Sequence, residues 1–466
     1  MSCSRRSQRE YTKELLYLAG PLILSNLAYT LLGALDTIFM GRVGTIELGA
    51  VGVAATLFVA VSAIFRGTVG GTLVMVSQAY GAGDRKRIRR SLQRYIALSA
   101  LLAPLCLVLP KVFEWYFTLS KAQPQVKDLA LIYMTIRSYE IPFSLLSKCA
   151  GSFLLGIGNS TFPMFVSWLT VGVNAFANYV LIFGRFGFPK LGIAGAAWGT
   201  VISQVVQTVI YAGFVLWQYN KEYGLLKGFS PPSWKELKDS FTLGFPMGLA
   251  NSIDLGAFGV FLTLISRIGP IELAASQIVS QLNDLTFMPA FALGASTNSL
   301  VGRSLGQKDV EKAERFGRTG LIIGVAVVGL VGLCFCLFPS IFIAPFTGDR
   351  EVTALASVLL KIVALYQLLD VAYVVFRGAL NGAGRTKYTG LMTLACACVL
   401  FIPVSYICAF VLGFGVMGAW IGPLAHVTCL VFTLGSQFYG GYWKERWVVS
   451  RNTKGTIEGK LGFVPK

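Results

Sequence analysis

The chain repeats itself at one constant offset. Pro21 corresponds to Pro246, Ile46-Glu47-Leu48 to Ile271-Glu272-Leu273, Gly81 to Gly306 and Asp84 to Asp309, each pair 225 positions apart. With shifts of a few residues the correspondence continues, from Gly156-Ile157-Gly158 to Gly382-Ala383-Gly384 and from Gly195, Ala196 and Trp198 to Gly418, Ala419 and Trp420. A chain duplicated in this way is expected to fold into two like halves. When both halves are apolar, the working site is expected between them, in a membrane.

Both halves are indeed apolar. Hydrophobic residues make up 55% of the chain and charged residues 13%, against about 25% charged in an ordinary soluble domain. A soluble protein of this length cannot hide so much apolar surface. About twelve segments reach the roughly 20 residues that cross about 30 Å of hydrocarbon. They lie near 15–40, 50–76, 92–114, 128–152, 162–184, 192–217, 240–266, 274–302, 317–342, 354–377, 390–412 and 416–441. The expected fold is an all-α integral membrane protein with twelve transmembrane helices in two pseudo-symmetric six-helix bundles. The halves are expected over 1–220 and 240–442, with a linker at 221–239 and a solvated tail at 443–466.

A net charge of +18 raises the question of nucleic acid, and the positions of the basic residues answer it. They gather in the N-terminal tail (Arg5, Arg6, Arg9, Lys13), after segment 2 (Arg85 to Arg94), and in the 221–239 linker. The loops after segments 8 and 10 and the C-terminal tail (Lys444, Arg446, Arg451, Lys454) continue the pattern, while the alternate loops carry one or two each. By the positive-inside rule the rich side is cytoplasmic, so both termini are expected there, in the cell's inner membrane. Topology accounts for the charge, and no nucleic-acid partner is expected. Segment 1 is too long for a signal h-region and reads as a retained span.

The composition also argues against an enzyme. The single histidine, His426, has no carboxylate near it in sequence and reads as a hydrogen-bonded packing residue. No HExxH or P-loop lysine is present. The nine cysteines fall mostly within spans without a framework and read as small buried hydrophobes. No cofactor is expected, and pumping must draw on an ion gradient.

Carboxylates inside spans cost about 2.5–3.5 kcal/mol on insertion scales and are expected to face an internal cavity. Three qualify: Asp36 near the end of segment 1, Asp254 in segment 7 and Asp370 in segment 10, the last two without a basic residue within a helical turn. Segment 8 carries two polar stripes, Ser276, Ser280 and Asn283 beside Gln277, Gln281 and Asp284. Interhelical bonding would explain such a face at about 0.6 kcal/mol per contact. The number of acceptors favours a cavity wall.

At these residues the sequence resembles the multidrug and toxic compound extrusion (MATE) transporters. The marks are the Pro21 and Pro246 helices, Asp36 in LLGALDTIFMG, Gln78-Ala79-Tyr80-Gly81-Ala82-Gly83 and the Gly156-Ile157-Gly158-Asn159 loop. Within that family it is similar to the NorM-like branch. The resemblance implies a cation site in the C-terminal half lined by Asp254, Tyr366, Asp370, Gln277 and Gln281, with Asp254 standing where the branch usually has glutamate. It also implies a Na⁺ site in the N-terminal half from Asp36, Asn174, Asn178, Thr200 and the carbonyl of Ala196, an oxygen set suited to a hard cation. Asn178, an aspartate in some relatives, leaves Na⁺ against H⁺ open.

The function expected from this resemblance is Na⁺- or H⁺-coupled antiport of lipophilic organic cations by alternating access, by a monomer in contact with membrane lipids. The 33 Phe, 18 Tyr and 8 Trp offer faces for such cargo. Two alternatives stay open: a lipid-linked saccharide flippase of the same superfamily, and a membrane scaffold that transports nothing. The flippase would want a cavity rich in Arg and Lys. Arg66 and Arg137 are the nearest candidates, and each can snorkel out.

Overall fold

The computed structural model describes residues 7–119, 124–226 and 230–444. Arg5, Arg6, Lys121, Lys227, Cys3 and the tail beyond Lys444 lie outside the described residues. In hydrocarbon every backbone N–H needs a partner in its own segment, and the described chain answers with helices alone. The crossing helices are α1 (Gln8–Gly41), α2 (Ile46–Gly81), α3 (Arg85–Leu102 continued by Leu105–Leu119), α4 (Pro124–Ser138 continued by Ile141–Gly156), α5 (Thr161–Phe183) and α6 (Ile193–Tyr223). The second set is α7 (Trp234–Ser266), α8 (Pro270–Gly306), α9 (Val310–Leu337), α10 (Arg350–Gly382), α11 (Thr386–Val411) and α12 (Gly415–Tyr439).

Among the described residues, nine of these helices are long and apolar enough to cross unaided, and α3 makes a tenth with a 45° bend. The other two depart from the simple pattern for physical reasons. Helix α8 has the length but carries the two polar stripes. Helix α4 is interrupted at Tyr139 and Glu140, because Pro142 lacks an N–H and its ring clashes with the carbonyl of Ser138.

The repeat is visible as paired local structure. Asp84 and Asp309 cap α3 and α9, each accepting a backbone N–H at 2.9 Å, from Arg87 and Lys312. Gly81 and Gly306 form a reciprocal crossing between α2 and α8. A Cβ on Gly81 would lie 1.9 Å from the carbonyl oxygen of Arg303, and one on Gly306 would lie 2.1 Å from that of Gln78. Only glycine permits this approach.

The halves meet along α2 against α7 and α1 against α8. At mid-height Ser252 donates to the carbonyl of Ala60 at 2.7 Å, and Asn26 to that of Met288 at 3.2 Å. From there contacts run to the end that carries both described chain ends. Gln78 donates to Gly382 at 2.9 Å, Ser299 to Leu155 at 2.8 Å, and the Arg303 guanidinium to Gly156 at 3.1 Å, while lying over the Tyr80 ring. At the same end Arg90 and Arg94 of α3 grip Glu236 of α7. Among the described residues, every hydrogen bond between the halves lies between mid-height and this terminal end, so the cleft closes there.

Tyr11 packs edge-on against Phe316 with ring centroids 5.0 Å apart, and Lys444 pairs with Glu314 two residues earlier on α9. Both ends therefore lie on one side, as an even number of crossings requires. Trp443, expected to open a solvated tail, is instead 3% exposed and donates its Nε1 to Phe438. An indole of this size docks where an apolar surface awaits it.

Candidate functional site

The N-terminal site is assembled by α1, α5 and α6. Asn174 and Asn178 stand one turn apart on the inner face of α5, both fully buried. The Nδ2 of Asn178 donates to Asp36 Oδ1 at 2.6 Å and to Asn174 Oδ1 at 3.0 Å. The Nδ2 of Asn174 lies 3.5 Å from Thr200 Oγ1, which donates to the carbonyl of Ala196 at 3.1 Å. All five residues singled out in sequence thus form one hydrogen-bonded chain. Gly199 lets α6 press against it, since a Cβ there would lie 2.0 Å from Asn178 Oδ1. That oxygen is buried and has no hydrogen-bond partner. A buried amide oxygen without a donor is costly, which marks a position where a cation would be welcome.

Beside this chain sits a pair that sequence reading misjudged. Arg137 does not snorkel: it is buried and bidentate to Glu140 at 2.9 and 3.0 Å, hydrogen-bonded to Tyr133 at 3.0 Å, and stacked over Phe58. Glu140 is delivered to it by the break in α4.

In the C-terminal half, Asp254 does have a basic partner. Arg377 of α10 donates to Asp254 Oδ2 at 2.9 Å, Tyr373 donates to the same oxygen at 3.1 Å, and His426 Nε2 lies 3.9 Å from Oδ1. Arg377 lies two turns beyond Asp370 and across a helix interface from Asp254, outside the one-turn window of the sequence argument. His426 is likewise part of the site rather than a satisfied packing residue: it stacks on Phe401, and its Nδ1 is buried without a partner. Asp370, 6% exposed, has no donor within hydrogen-bond distance among the described residues. It lies within electrostatic reach of Asp254, Arg377 and His426.

The two stripes of α8 have different fates. Ser276, Ser280 and Asn283 are buried, and Trp420 Nε1 and Gln367 Nε2 donate to Ser276 and Asn283 at 3.3 and 3.2 Å. That stripe joins helices. Gln277, Gln281 and Asp284 form the exposed row, and Tyr366 lies within reach of Asp254, Asp284 and Asp370. The structure therefore brings Asp254, Asp370 and Tyr366 into one acidic neighbourhood, with the glutamines as an open face of α8.

Comparison with known proteins agrees with this architecture. A probable multidrug resistance protein NorM from Thermotoga maritima is 30% identical over 95% of each chain, and one from Rhizobium meliloti is 28% identical over 91% of this chain and 92% of its own. A crystal structure of a MATE mutant superposes with a TM-score of 0.84 at 21% identity, covering 95% of this chain and 97% of that one. An outward-facing multidrug resistance MATE transporter gives 0.82 at 21% identity over 94% and 96%. At that identity the likeness shows the fold. The MatE family matches twice, over residues 21–180 and 246–407, opening at the two repeated prolines. The chain belongs to the MatE family, whose members are membrane transporters and not enzymes.

Proposed function

We propose that this protein exports lipophilic organic cations as a multidrug antiporter of the inner membrane, driven by Na⁺ or H⁺. The observation that carries the reading is Asp370: a carboxylate buried at the middle of a span, without a donor among the described residues, beside a second acid already held by Arg377. A structural carboxylate would be satisfied. One left bare in an apolar bundle is poised to take a cation, and cargo and coupling ion compete for its charge.

The N-terminal chain is the candidate Na⁺ site. Asp36, Asn174, Thr200 and the Ala196 carbonyl supply oxygens, and a half-turn of the Asn178 amide would exchange its donor for the unpartnered Oδ1. The same carboxylate serves H⁺ if the amide stays put. In this reading the positive-inside rule puts the terminal end, with its basic loops, in the cytoplasm, so the closed end of the cleft is the cytoplasmic one. An ion entering from outside would neutralise the carboxylates and release cargo, and rocking of the halves would then reopen the cytoplasmic side. The transporter is proposed to work as a monomer within lipid.

The test is efflux of a fluorescent lipophilic cation from proteoliposomes under separate Na⁺ and pH gradients. Wild type should export under at least one gradient, and Asp36→Asn or Asp370→Asn should abolish it. Equal efflux in all three proteins would end the coupling proposal. A flippase is the second reading, favoured by the basic groups Arg66 and Lys148 inside the N-terminal half, and it predicts no dye efflux under either gradient.

A further inference from the structure

The N-terminal half holds two cations that neither candidate site uses. Lys148 is the one exposed side chain of the helix Ile141–Gly156, whose other residues are buried or half-buried. Its Cε comes within 3.7 Å of where a Cβ of Gly70 would be, so the side chain lies along α2. Arg66 sits one turn before Gly70 on that same face of α2, and its Nη2 donates to Ser62 Oγ at 2.6 Å. The two charges lie within electrostatic reach of each other. Among the described residues, neither has a carboxylate within ion-pair distance, in contrast with Arg137 and Arg377.

The Arg137–Glu140 pair lies within electrostatic reach of Arg66, and the other groups around the two cations are neutral hydrogen-bonding ones. Ser147 accepts from Gln204 at 2.6 Å, Gln204 donates to Gln207 at 2.7 Å, and Gln207 donates to the hydroxyl of Tyr29, which is 46% exposed. Tyr29 in turn lies within reach of Arg66. Side chains of α1, α2, α4 and α6 thus line an open polar chamber with two positive charges that have no directly paired carboxylate among the described residues, Glu140 being already bidentate to Arg137. The opposite half presents Asp254, Asp284 and Asp370 against Arg377 and His426. Two like charges held together without a directly paired counter-ion are unfavourable, and a bound anion relieves the repulsion.

Resting on the export reading, we propose that Arg66 and Lys148 form an anion subsite that takes the carboxylate of an amphipathic cargo whose cationic end faces the acidic half. The cleft then selects organic cations that also carry a negative group, and the N-terminal half sets that preference.

The experiment uses the full-length protein in vesicles of zwitterionic lipid and follows anisotropy of a rhodamine dye offered as its free acid and as its methyl ester. Wild type should bind the acid about tenfold more tightly than the ester. In Lys148→Gln and Arg66→Gln that ratio should fall to about one, and Lys148→Arg should restore it. A purely structural role for Lys148 would weaken both dyes alike and leave the ratio. Ester binding without any preference for the acid, or a preference that survives both substitutions, overturns the subsite and leaves the export reading standing. Binding of neither dye overturns both. A preference abolished by adding phosphatidylglycerol would assign the two cations to a lipid headgroup instead and overturn the cargo assignment.

Discussion

Asp254 and Asp370 are carboxylates of one bundle in opposite circumstances. The first is held by Arg377 and Tyr373, and the second has no donor among the described residues. Removing one partner of a buried pair strands the other, at a cost of up to about 3–5 kcal/mol. Arg377→Gln should therefore lower the thermal unfolding temperature markedly, and Asp254→Asn combined with it should recover much of the loss. A double-mutant cycle on unfolding checks this, and strict additivity would mean that the pair is not coupled. The individual acids were legible in the sequence because carboxylates in spans are rare. Arg377 and His426 were not, since their meaning depends on a contact between helices distant in sequence, and a one-turn search window cannot see across an interface.

Helix ends carry a separate lesson. Ser233 and Glu236 form a capping box at the start of α7, and Arg90, then Arg94, hold the Glu236 carboxyl down to about 2. The unfolded value is about 4.3. A carboxylate whose pKa is lower in the folded state contributes stability that is complete above the unfolded value and is lost as pH falls through the folded one. Glu236→Gln should cost about 1 kcal/mol at neutral pH, and its deficit against wild type should close as pH drops from about 4 toward 2. Thermal unfolding across that range decides it, and a deficit unchanged with pH would place the effect in the cap rather than in the clamp. Elements of this kind were readable in part. Asp84 and Asp309 announce their caps through the repeat, whereas the interruption of α4 follows from Pro142 acting on an apolar stretch that hydropathy alone reads as continuous. The Gln277 and Ser276 stripes of α8 were seen, but which of them joins helices depends on where Trp420 and Gln367 arrive.

For the whole molecule, the Gly81 and Gly306 crossing is where the halves close on each other. Gly306→Leu should prevent that closure: it should lower export while leaving the folded fraction largely intact, and expose a single cysteine placed at Ser299 to a water-soluble thiol reagent. Unchanged labelling and export would show that this crossing does not seal the cleft. The letters shared by the two halves fall at such places, in caps, turns and close crossings. At the offset of 225, Asp36 meets Phe261, Asp254 meets Tyr29 and Arg66 meets Phe291. Duplication has therefore preserved the bearing and let the two grips diverge. A chimera made of two N-terminal halves would inherit the matched pivot, yet it would meet its cargo with the same charge from both sides and have nothing to tell one end of a molecule from the other.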